Sequence, residues 1–129
     1  MFLVTGASGH IGRGVVSGLV AAGQNVRAVS RRPLEGDAQK AVHVVNVDLQ
    51  EPLADATLFD DVAGLFLNSS ATMDQTGGFL KTAASSGVSH VVLVSSVYVE
   101  DGLPADGQRD AIAGMHRSME ELVEKSGMA

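Results

Sequence analysis

The chain has 129 residues, 45% hydrophobic and 19% charged, with 15 glycines, the make-up of one compact domain around a single core. Nine Lys and Arg against fifteen Asp and Glu give a formal charge of −6, which argues against the broad basic surface that dominates nucleic-acid affinity. The absence of Cys excludes disulfides, thiolate chemistry and Cys-based metal sites, and aromatic residues at 4%, with no Trp, are too few to stack bases.

The chain opens on Met1-Phe2-Leu3-Val4, an apolar run too short for a signal sequence and with no basic stretch before it. No later run approaches the roughly 18–20 apolar residues that cross a bilayer. The expectation is a soluble, cytoplasmic protein with neither a nucleic-acid nor a membrane partner.

Short β-branched or aliphatic runs alternate with longer stretches of helical period, the pattern of βαβ units around a parallel sheet. The first strand is expected over residues 2–5. From Ile11, the apolar residues Ile11, Val15, Leu19 and Ala22 fall at helical spacing, with Gly23 placed for a left-handed cap. Residues 25–30 read as a second strand. Pro33, Gly36 and Asp37 then break the pattern before a third strand over 41–47, whose near-continuous apolar character suits burial on both faces. A polar turn or helix is expected over 51–60 and a fourth strand over 64–68. A helix follows over 75–86, with Phe79, Leu80, Ala83 and Ala84 on one face and Gly87 ending it. Residues 90–95, with Val91-Val92-Leu93-Val94, read as a buried fifth strand. After a loop with Gly102, Pro104 and Gly107, the last helix shows Ile112, Met115, Met119 and Leu122 as its apolar stripe, the Met pair serving core packing. The fold expected is α/β, a doubly wound parallel sheet of about five strands with helices on both faces.

Three glycines at intervals of three, in Gly6-Ala7-Ser8-Gly9-His10-Ile11-Gly12, lie between the first strand and the first helix. A turn of this kind reverses the chain sharply and brings backbone against a pyrophosphate with no Cβ in the way. It also lets the helix pack tightly on the sheet, while the helix N-terminus offers unpaired N–H groups to the anion. Gly6, Ser8, Gly9, His10, Ile11 and Gly12 are therefore the expected dinucleotide contacts. At the end of the second strand an acidic residue would bind the ribose of NAD and repel the extra phosphate of NADP. The chain has Ser30-Arg31-Arg32 there, so Arg31 and Arg32 point to NADP(H) over NAD(H). Leu67, Asn68 and Ser69 end the fourth strand, where ligands of open parallel sheets lie. His10, His43 and His90 show no ligand spacing, so no metal site is expected.

The G-x-x-G-x-x-G spacing resembles short-chain dehydrogenase/reductase relatives of the extended and atypical type, and is most similar to the NmrA-like family. The resemblance runs along nearly the whole chain. It rests on Thr5 to Gly12, Ser30-Arg31-Arg32-Pro33, Val47-Asp48-Leu49, Val94-Ser95-Ser96, and His116 to Leu122 with Ser126-Gly127. It implies that these segments are cofactor and active-site loops. Asp48 and Leu49 look like the pair that flanks the adenine, although Asp48 suits a helix N-cap equally well. Ser95 stands where the superfamily keeps a substrate-bonding hydroxyl, and His116 stands where NmrA-like relatives have a residue near the ribose or nicotinamide.

The superfamily's Tyr-x-x-x-Lys pair is missing. Matching Glu120-Glu121-Leu122 puts Ile112 at the Tyr position and His116 at the Lys position, and the lone Tyr98 has Gly102 four residues on. Ser95 and His116 are the weak catalytic candidates that remain. The resemblance also implies a sixth strand and a C-terminal substrate lobe after Ser126-Gly127, so residues 1–129 are expected to form a single cofactor-binding domain without that lobe. A strand order of 3-2-1-4-5 would leave the fifth strand as an open edge, which invites self-association or a partner that covers it. The readings open at this level are an NADP(H)-binding domain of an oxidoreductase acting on a quinone-like small molecule, a non-catalytic dinucleotide sensor, and a shortened product that binds cofactor only.

Overall fold

A computed structural model describes residues 1–34 and 41–129, so the turn expected at Gly36 and Asp37 lies outside the described residues. The strands are β1 (Phe2–Thr5), β2 (Val26–Ser30), β3 (His43–Asn46), β4 (Gly64–Leu67) and β5 (His90–Leu93), and the α-helices are α1 (His10–Ala21), α2 (Thr76–Ser85) and α3 (Ala111–Ser126). All four strand pairings are parallel, in the order β3-β2-β1-β4-β5. Phe2 lies opposite Val26 on one side and Gly64 on the other, so β1 is central.

The alternation of side chains along a strand explains why the sheet is wound on both faces. Leu3, Val29, Leu65 and Leu67 join Phe59, Phe79, Leu80 and Ala83 in one core, against which Leu122 and Val123 of α3 also pack. Val4, Val26 and Ala28 point the other way and meet Val16 of α1. Phe59 and Phe79 meet edge to face, with ring centroids 5.1 Å apart. Gly23 takes the left-handed conformation that closes α1, with its N–H donating to the Val20 carbonyl.

Several expected faces differ from those observed. Ile11 is 49% exposed, and α1 is buried instead at Gly12 and Val16, with Val15 and Leu19 only partly buried. The helix approaches the sheet so closely at Gly12 that the contact face passes through a residue with no side chain. Neither β3 nor β5 is buried on both faces: both are edge strands, and Val92 is 62% exposed. A continuous aliphatic run does not reveal that its outer neighbour is absent. On α3, Ile112 and Met115 are exposed, so Met115 is not core packing, and the face that meets the sheet runs through Ala113, Leu122 and Val123.

Arg27 is buried within β2. Its Nη1 donates to the carbonyls of Leu58 at 2.6 Å and Asp60 at 3.0 Å, and its Nε donates to His43 Nδ1 at 3.3 Å. The guanidinium thus ties the 3-10 turn Thr57–Phe59 to the sheet. At the other edge, Ala129 lies alongside β5: its N–H donates to the Ser89 carbonyl and its carbonyl accepts from the Val91 N–H. Beyond that bridge, β5 has no outer strand neighbour among the described residues.

Candidate cofactor site

The site begins where β1 ends. Gly6 has φ +61°, a conformation that L side chains rarely adopt, and its carbonyl accepts from the Gly9 N–H at 2.9 Å to close the turn. A Cβ on Gly12 would lie 2.2 Å from that same carbonyl oxygen, and one on Gly9 would lie 3.2 Å from it. The three glycines therefore answer to one oxygen atom: Gly6 aims it, and Gly9 and Gly12 make room for it.

Helix α1 starts at once, with Gly9 as an extended N-cap that has no capping side chain and with no acidic residue in the first turn. The first backbone bond into the helix is from Arg13 N–H to the Gly9 carbonyl. Among the described residues, the N–H groups of His10, Ile11 and Gly12 have no backbone or side-chain acceptor. Three bare amides at the positive end of a helix dipole form an anion-binding position.

The turn opens onto a crevice of about 160 Å³ at the C-terminal ends of β1 to β4. Gly6, Ser8 and Gly9 form one wall, Ser30, Arg31 and Arg32 another, and Leu49 and Asn68 lie across from them. The strand ends are locked locally. Thr5 Oγ1 accepts from the Asn68 N–H at 2.8 Å and donates to the Phe66 carbonyl, which holds the Asn68 amide against Gly6. The Ser30 hydroxyl donates to the Arg32 carbonyl, and the Ser30 carbonyl accepts from Asn46 Nδ2, which fixes the turn that carries both arginines.

Not every expected contact reaches this crevice. His10 and Ile11 stand exposed on the first turn of α1, where only their backbone amides face the anion position. Asp48 Oδ1 accepts from the Gln50 N–H at 3.0 Å, so this carboxylate caps the turn after β3, while Leu49 beside it is buried and lines the crevice. Ser69 is buried at the start of a 3-10 turn.

Ser95 and His116 belong to a separate cluster at the end of β5. The Ser95 hydroxyl donates to Glu120 Oε1, and Arg117 bridges Glu120 at 3.1 Å and Glu124 at 2.9 Å. These two carboxylates raise the Arg117 guanidinium above its ordinary value, Glu124 more than Glu120. Next to them, His116 Nδ1 is buried without a hydrogen-bond partner. Ile112 stands exposed one turn before His116, and Tyr98 lies in the preceding loop, its ring 4.8 Å from the Arg109 guanidinium carbon.

Sequence reasoning missed Arg13. It lines a second cavity of about 460 Å³ between α1 and the segment after β2, together with Ser8 and Arg32. The signal was its place, directly after the last glycine of the turn.

A turn of this build, followed by an uncapped helix at the crevice of a parallel sheet, is the backbone of a dinucleotide site, and a family model described as NAD(P)H-binding matches residues 6–129. The chain belongs to the NAD(P)H-binding family. Solved structures similar to it carry the same fold. A short-chain dehydrogenase/reductase superfamily protein from Agrobacterium tumefaciens with bound NAD is 24% identical with a TM-score of 0.77, over 99% of this chain and 46% of that one. MoeE5 in complex with UDP-glucuronic acid and NAD is 26% identical with a TM-score of 0.66, over 98% of this chain and 48% of that one. A putative NAD-dependent epimerase/dehydratase from Bacillus halodurans is 19% identical with a TM-score of 0.74, over 98% of this chain and 65% of that one. The chain thus spans about half the length of the first two. No curated protein matches it.

Proposed function

We propose that the chain is the NADP(H)-binding domain of an NmrA-like, atypical short-chain oxidoreductase that delivers hydride to a quinone-like small molecule. The observation that carries the reading is the uncapped start of α1, with three bare amides above a crevice whose β2 side is lined by Arg31 and Arg32. Two of the neighbours named above, the Agrobacterium tumefaciens protein and MoeE5, were solved with NAD. The preference for NADP(H) rests on this chain's own arginines, whose charge-assisted hydrogen bonds suit a phosphate monoester.

The bound dinucleotide supplies the hydride. The chain's own residues hold the pyrophosphate at the first turn of α1, border the adenosine with Arg31, Arg32 and Leu49, and keep Asn68 over the glycine turn. Positioning supplies much of the acceleration of such a transfer, and water can protonate an anionic quinone product without a protein acid. Among the described residues no helix is long and apolar enough to cross a membrane, and a reducing cytoplasm suits a chain without Cys.

A specific observation favours the second reading, a dinucleotide sensor without turnover: Glu120 already engages the Ser95 hydroxyl, and the match on Glu120-Glu121-Leu122 puts Ile112 and His116 where the superfamily has Tyr and Lys. Fluorescence titration with NADPH, followed by addition of menadione and absorbance of the reduced nicotinamide, separates the two. Oxidation of NADPH supports the oxidoreductase; binding without oxidation supports the sensor. Absence of binding to any dinucleotide contradicts both. The open edge and exposed Val92 of β5 further support self-association of the chain along that edge.

A further inference from the structure

We propose that the chain holds a second small-molecule site, beside the starts of β2 and β3, that takes a free α-amino acid with an aliphatic side chain. The link from β3 to β4 forms one 3-10 turn, Thr57–Phe59, and between this link and β3 lies a cavity of about 440 Å³. That volume falls within the roughly 300–1,000 Å³ usual for small ligands. Arg27 and His43, which are register partners on β2 and β3, line it. Its apolar wall is Val45, Leu53 and Leu58, which belong with the core on the α2 face of the sheet, whereas Leu34 and Val42 pack in the core on the other face. Among the described residues, only Val47 borders both this cavity and the dinucleotide crevice.

The cavity carries opposite charges at its floor and its rim. Arg27 is only 7% exposed, and its Nη1 and Nε are engaged by the carbonyls of Thr57, Leu58 and Asp60 and by His43. Its Nη2 has no hydrogen-bond acceptor among the described residues. A guanidinium only donates, so His43 Nδ1 is the acceptor in their bond and Nε2 carries the ring proton. Nη2 and Nε2 are thus two donors, one on a buried cation, for a ligand carboxylate. Asp55 and Asp60 line the same cavity and are exposed. Asp55 Oδ1 accepts from the Thr57 hydroxyl and from the Thr57 N–H at 2.8 Å, and these bonds, the hydroxyl's first, hold its carboxyl below the ordinary value. A plain carboxylic acid would meet Arg27 but pass two like charges, and a plain amine would meet the rim but face the guanidinium. Carboxylate and ammonium on one carbon, with an aliphatic side chain against Val45, Leu53 and Leu58, answer floor, rim and wall together. A peptide carries its two terminal charges on different residues, so the fit is to the free amino acid.

The test follows amide shifts of the labelled full chain titrated with L-leucine, with isocaproate, which lacks the amine, and with isoamylamine, which lacks the carboxylate. The expected result is saturable leucine-induced shifts at His43, Val45, Leu53 and Asp55, with each analogue binding at least about tenfold more weakly. The double variant Asp55→Asn, Asp60→Asn is expected to lose about tenfold or more for leucine and to bind isocaproate no worse than the wild type does. Both residues are exposed, and Asn keeps the oxygen that caps the Thr57 turn. Arg27 is left in place because it ties that turn to the sheet. The absence of saturable shifts at the four residues overturns the site. Isocaproate or isoamylamine binding as tightly as leucine overturns the assignment to an amino acid, and this comparison on the wild type decides it even where the double variant fails to fold. Undiminished leucine affinity in the folded double variant overturns it as well.

Discussion

Replacing Gly12 by Ala strikes the glycine turn at its tightest point. The new Cβ would lie 2.2 Å from the Gly6 carbonyl oxygen, 2.8 Å from the Gly6 carbonyl carbon and 2.9 Å from Ala7 Cα. All three are backbone atoms, so no side chain can swing aside to relieve the clash. Because ordinary contact begins at about 3.4 Å, α1 must retreat from the end of β1 by about 1 Å, an overpacking expected to cost about 1–3 kcal/mol. The same retreat draws the amides of His10, Ile11 and Gly12 away from the anion position, and displacements of this size cost roughly ten- to a hundredfold where geometry carries the interaction. Gly14→Ala is the control in the same helix: nothing lies within 4 Å of its Cβ, it is exposed, and it should stabilise by up to about 1 kcal/mol. Thermal melts and NADPH titrations of the two variants measure both effects. Wild-type NADPH affinity in Gly12→Ala would refute the argument that the close approach of helix to turn makes the site.

Arg27→Met should destabilise the chain by about 2–4 kcal/mol in chemical denaturation, because it strips the guanidinium from the buried carbonyls of the turn after β3; a loss below about 1 kcal/mol would show that the turn holds without it. Asp110 caps α3 through the Ala113 N–H at 2.8 Å, and chiefly that bond holds its carboxyl below the usual carboxylate range. A folded value depressed below the unfolded one gives stability that is complete above about pH 4 and fades as the pH falls through the lower folded value. Asp110→Ala should therefore melt below the wild type at pH 7 and approach it near pH 3; a difference that persists unchanged in acid contradicts the cap's role. Light scattering should show concentration-dependent association that Val92→Glu weakens, and a strict monomer at high concentration would count against an edge that recruits a second copy.

The α/β class was readable because the strands are short and aliphatic and helical periods fall between β1 and β2, between β4 and β5 and after β5, and the glycine turn could be read because its residue type is dictated by sterics. What periodicity could not show was which face of an element meets a neighbour. The apolar stripe from Ile11 runs beside Gly12, whose missing side chain marks the closest contact, and the run Val91 to Leu93 reads as buried although the strand order, as expected, leaves β5 at an edge. The two 3-10 turns at Ser69–Ala71 and Met73–Gln75 also escaped notice. They rest on the buried Thr72 and Thr76 hydroxyls, 2.7 Å apart, whose pairing leaves no period in the sequence. Within the site, Arg31 and Arg32 were legible as adjacent cations, but their different surroundings, and the arrival of Arg13 from the helix, depend on how α1 packs against the end of β2.

The most direct measurement is a two-dimensional amide NMR titration of the labelled chain with NADPH. If the bare N–H groups at the start of α1 hold the diphosphate, the largest shifts fall on His10, Ile11 and Gly12, with smaller ones along the ends of β2 and β4. A bound state in which those three amides do not move, while residues elsewhere shift, would contradict the central claim.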